Sequence, residues 1–181
     1  MIRSKLKEIK MLILDVDGVL TDGKIIIGND GEESKFFNVK DGLGIKHIQK
    51  LGIAIAVITG KSSNIVQLRM SALGVEDIYQ GQKNKLKAFA ELLEKYRLEK
   101  YEVAYVGDDL PDAPLLKEVG CAIIPQDGHA LLYDLADYRC KAKGGEGAVR
   151  EVCDLIYEAN DLTGKLLEDY LSLGEAGTYD L

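Results

Sequence analysis

The sequence predicts an α/β fold built on a doubly wound, Rossmann-like parallel sheet, and three observations point to it. Apolar runs too brief for helices recur at Met11–Leu14, Ile53–Ile58, Val103–Val106 and Cys121–Ile124. Stretches with helical apolar spacing separate them, as right-handed βαβ crossovers in a parallel sheet require. Polar residues stand where the runs end: Asp15 and Asp17, Thr59, then Asp108 and Asp109. In an open α/β sheet that carboxyl edge is where ligands bind.

Met11–Leu14 reads as a buried strand running into Asp15, Val16, Asp17 and Gly18. Alternation places Asp15 and Asp17 on one face, and Gly18 permits a sharp turn. Two carboxylates there are costly to bury unless a cation or proton compensates them. A plain polar turn is the simpler reading, and the doubled acid weighs against it. Residues 23–38 come next. Ile25–Ile27 and Lys35–Phe37 flank a Gly-Asn-Asp-Gly turn, the pattern of a small β-hairpin flap. Its apolar residues are many for so small an arm, so they must rest on the body or on another subunit.

Asp41 is placed as the N-cap of a helix to about Leu51, with Ile45, Ile48 and Leu51 facing inward. The strand Ile53–Ile58 ends in Thr59 and Gly60, and Ser62 or Ser63 caps a helix to about Leu73. Ile78 and Tyr79 form a short strand, after which residues 80–85 lead into a helix over Leu86–Tyr96. The strand Val103–Val106 ends in Gly107, Asp108 and Asp109. A short helix near Ala113–Val119, the strand Cys121–Ile124, a helix near Ala130–Ala136 and a brief strand near Tyr138 follow. The loop Lys143–Gly147 precedes a helix over Ala148–Asn160, whose inner stripe is Val149, Val152, Cys153 and Ile156. Thr163–Leu173 adds one more helix, and residues 174–181 form a loose tail. No repeat or linker divides residues 1–181, so one domain is expected.

The chain has 181 residues, enough for one core, and is 46% hydrophobic with a net charge of −7. That acidity weighs against a nucleic-acid-coating surface. Arg3, Lys5, Lys7 and Lys10 imitate the start of a signal peptide. Asp15 and Asp17 break the apolar run behind them, which argues against export and for a cytoplasmic protein. No stretch is long and apolar enough for a membrane span. Cys121, Cys140 and Cys153 are odd in number, 19 and 13 residues apart, and form no CxxC. They read as buried or free thiols rather than a zinc site. His47 reads as a helix-surface residue and His129 as a loop residue. Tyr101, Tyr105, Tyr133 and Tyr138 read as core and packing residues. The glycines of residues 144–147 suit a tight turn, with Arg150 supporting the acidic site.

The strand ends together suit phosphoryl transfer through an aspartate. A carboxylate can take the phosphoryl group directly, splitting one hard hydrolysis into two displacements. A second acid two residues on can protonate the leaving alkoxide and later deprotonate the attacking water. A hydroxyl and a lysine, Lys83 or Lys85, can hold phosphoryl oxygens whose charge would repel the aspartate. A further aspartate completes an oxygen-rich site for Mg²⁺.

DVDGVLT, VITG, the lysine of GQKNK and VGDDLPD resemble, in this order, the four motifs of the haloacid-dehalogenase superfamily phosphatases. The resemblance implies Asp15 as nucleophile and Asp17 as acid/base, which also offers its backbone carbonyl to Mg²⁺. It implies Thr59 as a phosphate ligand, Lys85, by its spacing, as the neutralising lysine, and Asp108 as a metal ligand. Asp109 or Asp112 orients metal-bound water in that reading. Only 41 residues separate Asp17 from Thr59 and 22 separate Lys85 from Asp108, too few for an inserted cap domain. Roughly residues 10–160 resemble one branch, the 3-deoxy-D-manno-octulosonate (KDO) 8-phosphate phosphatases. That implies a homotetramer in which a neighbouring subunit closes the site, and a place in lipopolysaccharide synthesis. It also implies sugar binding by Asn38, Val39, Lys40, Asp41, Gly42 and Gly60, with Lys46, Lys61 and Arg69 meeting the substrate's negative charge. Lys46 and Lys61 stand where relatives often carry arginine, and lysine lacks the bidentate fork.

Phosphatases for nine-carbon keto-deoxy sugar acids are close alternatives. A phospho-signalling receiver domain is a rival from another class. Receivers put an adjacent acidic pair on the first strand and the phosphoacceptor on the third, whereas here the first strand carries DxD. An open-site phosphatase for protein or nucleic acid would need a basic or aromatic docking surface, which the composition does not supply.

Overall fold

The apolar runs assemble into one six-stranded parallel sheet. The computed structural model describes residues 2–173, so the expected tail over 174–181 lies outside the described residues. The strands are β1 (Met11–Leu14), β4 (Ala54–Ile58), β5 (Asp77–Tyr79), β6 (Val103–Val106), β7 (Cys121–Ile124) and β8 (Tyr138–Arg139). Their order is β5-β4-β1-β6-β7-β8, with every pairing parallel. The strand order reverses at β1, which pairs Leu14 with Val57 on one side and Val106 on the other. Asp15, Thr59 and Asp108 therefore emerge on neighbouring strands at one edge, the crevice where such sheets bind ligands.

All four residues of β1 are buried, because helices cover both faces. Alternation sends Leu12 and Leu14 to one face and Met11 and Ile13 to the other. The first face packs on α1 (Ile2–Lys7), α2 (Val39–Lys50), α3 (Asn64–Ala72) and α6 (Ala148–Ala159). The second packs on α4 (Lys85–Tyr96) and α5 (Ala113–Glu118), through Phe89, Leu92, Leu115 and Leu116. Burying each such side chain stabilises the fold by about 1.5–3 kcal/mol. The final helix, α7 (Thr163–Leu173), joins through Leu162 and Leu166. Cys121, Cys140 and Cys153 are buried free thiols.

Several sequence expectations need correction. Helix α2 begins earlier than its apolar stripe suggests, because Asn38 is the N-cap and its Oδ1 accepts from the Lys40 amide. Asp41 instead turns inward, where its Oδ1 accepts a 2.8 Å hydrogen bond from the Arg150 amide in the first turn of α6. The Ala130–Ala136 helix reduces to a 3₁₀ turn over Ala130–Leu132. Its only buried residue is Leu132, too little apolar surface to hold a full helix. His47 is buried, with its Nε2 2.5 Å from the Tyr170 hydroxyl of α7. Tyr101 and Tyr133 are exposed rather than core. Helix α1 forms in a stretch too polar for its own pattern to predict one, with Leu6 buried.

The flap is a two-stranded antiparallel hairpin of β2 (Ile26–Ile27) and β3 (Glu33–Ser34). Ile25, Ile27 and Phe36 on it are more than half exposed in the single chain. Among the described residues, no helix is long and apolar enough to cross a membrane.

Candidate active site

The end of β1 is shaped by the backbone before any side chain acts. The Asp15 amide continues the sheet by donating to the Val106 carbonyl at 3.0 Å. Its Oδ1 then accepts from the Val16 amide at 2.7 Å, which fixes the carboxylate. Gly18 closes the turn at φ +87°, and a Cβ there would lie 2.0 Å from Asp108 Oδ2. Only glycine lets these two loops meet so closely. The second loop is braced by Asp112, whose Oδ2 accepts from the Asp108 amide at 2.8 Å and the Asp109 amide at 3.3 Å.

Lys85, the first residue of α4, reaches into this edge with its side chain 5% exposed. Its Nζ lies 2.9 Å from Asp15 Oδ2 and 2.6 Å from Asp112 Oδ1, and donates to the Tyr105 hydroxyl at 3.0 Å. The Tyr105 hydroxyl in turn donates to Asp112 Oδ1 at 2.6 Å. Asp112 is thereby a buried acid whose two oxygens are already committed. Lys83 stays exposed two residues earlier, so it is Lys85, the lysine preferred on spacing, that reaches this edge.

Burial and the crowding of carboxylates shape the electrostatics. Desolvation, countered by Lys85 and reinforced by Asp112, pushes the Asp15 carboxyl up to about 6. Desolvation together with Asp112 and Asp15 pushes Asp108 up to about 8. Burial pulls the Lys85 ammonium down, but Asp15 and Asp112 outweigh it and hold its pKa above the usual lysine value. Oxygens of Asp15, Asp108 and Asp112 can all lie within 4.8 Å of one another. This all-oxygen, charge-crowded donor set fits a hard divalent cation such as Mg²⁺. Since Asp112 is occupied by Lys85, Tyr105 and two amides, Asp15 and Asp108 are the carboxylates left to hold it.

Asp17 faces differently. Its Oδ1 lies 2.5 Å from Nζ of Lys35, which also reaches Glu33 Oε1 at 3.1 Å. Lys35 directly follows β3 on the hairpin, yet its side chain is 1% exposed. Burial lowers its pKa, and the hydrogen bonds to Asp17 and Glu33 more than reverse that.

Residues 39–120 match the haloacid dehalogenase-like hydrolase family. A curated relative, the 3-deoxy-D-manno-octulosonate 8-phosphate phosphatase KdsC of Escherichia coli, is 50% identical over 167 residues, 92% of this chain and 87% of that protein. The chain belongs to the KDO 8-phosphate phosphatase family of haloacid dehalogenase-like hydrolases. Among solved structures, the Yersinia pestis phosphatase of the same name superposes with TM-score 0.88 at 45% identity, covering 90% of this chain and 88% of that one. The Moraxella catarrhalis phosphatase, solved with magnesium, phosphate and KDO, gives TM-score 0.89 at 43% identity, covering 92% and 97%.

Against that family, the structure brings Asp15, Asp108 and Lys85 together, with Thr59 buried at the end of adjacent β4. Asp109 is exposed and caps its own turn through the Leu110 amide. The presumed sugar segment divides. Val39 and Lys40 are exposed, whereas Asn38 donates from Nδ2 to the Gly145 carbonyl at 3.2 Å. Asp41 is 1% exposed and engaged with α6, so its carboxylate is withdrawn from any ligand. Arg69 lies across Gly42, where a Cβ would come within 2.4 Å of its Nη2. Gly60 and Lys61 are exposed beside Thr59, and Lys46 is half-buried on α2. Arg150 does not support the acidic site, since its Nε donates to Asp154 at 2.8 Å. Tyr105 and Lys35 are the residues that sequence reasoning missed. Tyr105 lay inside an apolar strand, and Lys35 resembled any solvated hairpin lysine.

Proposed function

We propose that the chain hydrolyses KDO 8-phosphate to KDO and inorganic phosphate, with Mg²⁺, through an aspartyl-phosphate at Asp15. The observation that carries this reading is Asp15 itself, fixed at the strand-order reversal with Lys85 Nζ 2.9 Å from its carboxylate. Above pH about 6 Asp15 is ionised and nucleophilic. It forms the new bond to phosphorus while the ester bond to the sugar oxygen breaks. Asp17 gives its proton to the leaving alkoxide, then takes one from the water that attacks the acyl phosphate. Thr59 and Lys85 hold the phosphoryl oxygens and offset their charge. Asp15, Asp108 and the Asp17 carbonyl would hold Mg²⁺, which would supply Lewis-acid neutralisation of the phosphoryl charge.

Asn38, Val39, Lys40, Gly42 and Gly60 are proposed to border the sugar, with Lys46, Lys61 and Arg69 near its charged ends. The exposed apolar hairpin supports a homotetramer in which a neighbour covers the open site. The protein is placed in the cytoplasm, in lipopolysaccharide precursor synthesis.

The test is phosphate release across KDO 8-phosphate, a nine-carbon keto-deoxy sugar-acid 9-phosphate, hexose 6-phosphates, nucleotides and a phosphopeptide. Preference for KDO 8-phosphate is expected. Preference for the nine-carbon ester would keep the chemistry and move the substrate. Asp15→Asn is expected to abolish steady-state turnover while leaving the circular dichroism spectrum intact. Substantial residual turnover would remove Asp15 as nucleophile.

A further inference from the structure

Lys35 is the charged hairpin side chain that reaches Asp17, and the reaction scheme leaves it without a role. It is also the most deeply buried hairpin lysine, with its side chain 1% exposed against 76% for Lys24. A lone ammonium is costly to withdraw from water, so its position demands compensating partners. Those partners are Asp17 Oδ1 at 2.5 Å and Glu33 Oε1 at 3.1 Å. The contact with Asp17 joins residues 18 apart in the chain, across the gap between the hairpin and the catalytic loop.

Resting on the assignment of Asp17 as acid/base, we propose that Lys35 is a positioning residue that selects which Asp17 oxygen exchanges the proton. A carboxylate has two equivalent oxygens and rotates about one terminal torsion. With Oδ1 taken by Lys35 and Lys35 held in turn by Glu33, Oδ2 is the oxygen left for the leaving alkoxide. The same arrangement serves the second displacement, when Asp17 has returned to the carboxylate and accepts a proton from water through Oδ2. Each transfer balances: one proton passes from Asp17 to the sugar oxygen, and one returns from the attacking water. Because Lys35 directly follows β3, the seating of the hairpin is relayed to the acid through a single side chain. The hairpin thus acts on the chemistry and is more than a cover.

The experiment compares single-turnover and steady-state kinetics of KDO 8-phosphate and p-nitrophenyl phosphate, with Mg²⁺, in Lys35→Met, Lys35→Arg and Asp17→Asn. The sugar alkoxide needs a proton to leave, and p-nitrophenolate does not. Lys35→Met should slow sugar release by about 100-fold and p-nitrophenolate release by less than about threefold. KM for the sugar phosphate should stay within about threefold, and Lys35→Arg should recover about tenfold of the loss. Equal slowing on both substrates would overturn the proposal, as would a raised KM with unchanged kcat, which would make Lys35 a substrate ligand. Asp17→Asn separates the two readings. If that variant shows no leaving-group dependence, the acid assignment itself fails. If it does and Lys35→Met does not, only the role of Lys35 falls. Should Lys35→Met fail to fold, Glu33→Gln removes the second anchor of Nζ and should shift the same ratio in the same direction, by about threefold to tenfold. An unchanged ratio there would overturn the proposal.

Discussion

Lys85 stands between Asp15 and Asp112, so removing its charge leaves two buried carboxylates facing each other with no cation between them. Breaking a buried ion pair from one side costs about 3–5 kcal/mol, more than the pair itself contributes. Lys85→Met is therefore expected to lose turnover and, in Mg²⁺-free buffer, about 3–5 kcal/mol of stability by urea unfolding. A loss below about 1 kcal/mol would show that the carboxylates relax or protonate freely. Asp108 and Asp15 make a second prediction, because both carboxyls are raised in the folded state, to about 8 and about 6. A raised folded pKa means the native state holds protons that the unfolded chain has released. Stability from these groups therefore falls as pH climbs from the unfolded value near 4 through 6 to 8. A divalent cation offsets that charge and competes with those protons. The rise in melting temperature with Mg²⁺ should be small at pH 5.5 and grow steadily to pH 8.5. A gain independent of pH would place the ion elsewhere.

At the scale of elements, the turn after β1 depends on Gly18 for two separate reasons. Its φ of +87° is unfavourable for other residues, and its missing Cβ makes room for Asp108 Oδ2. Gly18→Ala should cost more than about 1 kcal/mol in chemical unfolding and push Asp108 aside. It should accordingly remove most of the Mg²⁺-dependent melting shift. Retention of that shift would show that the two loops can part without losing the ion site. Much of this layer was legible beforehand. The strands Met11–Leu14, Val103–Val106 and Cys121–Ile124 are apolar runs that end at Asp15, Gly107 and Pro125, and each forms as read. Elements at the margin were not legible. Helix α1 buries Leu6 alone among its residues, so its stability comes from tertiary packing and not from its own pattern. Asp41 has the chemistry of a cap and acts as one, but its amides belong to a helix more than a hundred residues away.

For the whole molecule, the hairpin sets the unfinished surface. Ile25, Ile27 and Phe36 are 56%, 68% and 72% exposed on an arm that also carries Lys35. If copies of the chain assemble through this arm, the double variant Ile27→Asp, Phe36→Ser should elute as a monomer in size-exclusion chromatography while the parent elutes as a tetramer. A monomeric parent would remove the assembly and leave the site open to larger esters. Because Lys35 links the arm to Asp17, the same variant should also lower turnover on KDO 8-phosphate.

The local apolar runs mark where Asp15, Thr59 and Asp108 stand, each just past the end of a strand. Alternation does not carry past Leu14, where β1 ends, so Asp15 meets Lys85 while Asp17 meets Lys35 instead of sharing one face. Which side chains meet is set by tertiary packing. Asp112 over Asp109, the hydroxyl of Tyr105, the withdrawal of Asp41 and the burial of Lys35 all depend on distances between separate elements. Those distances are set by how helices and hairpin pack on the sheet, which no local pattern encodes.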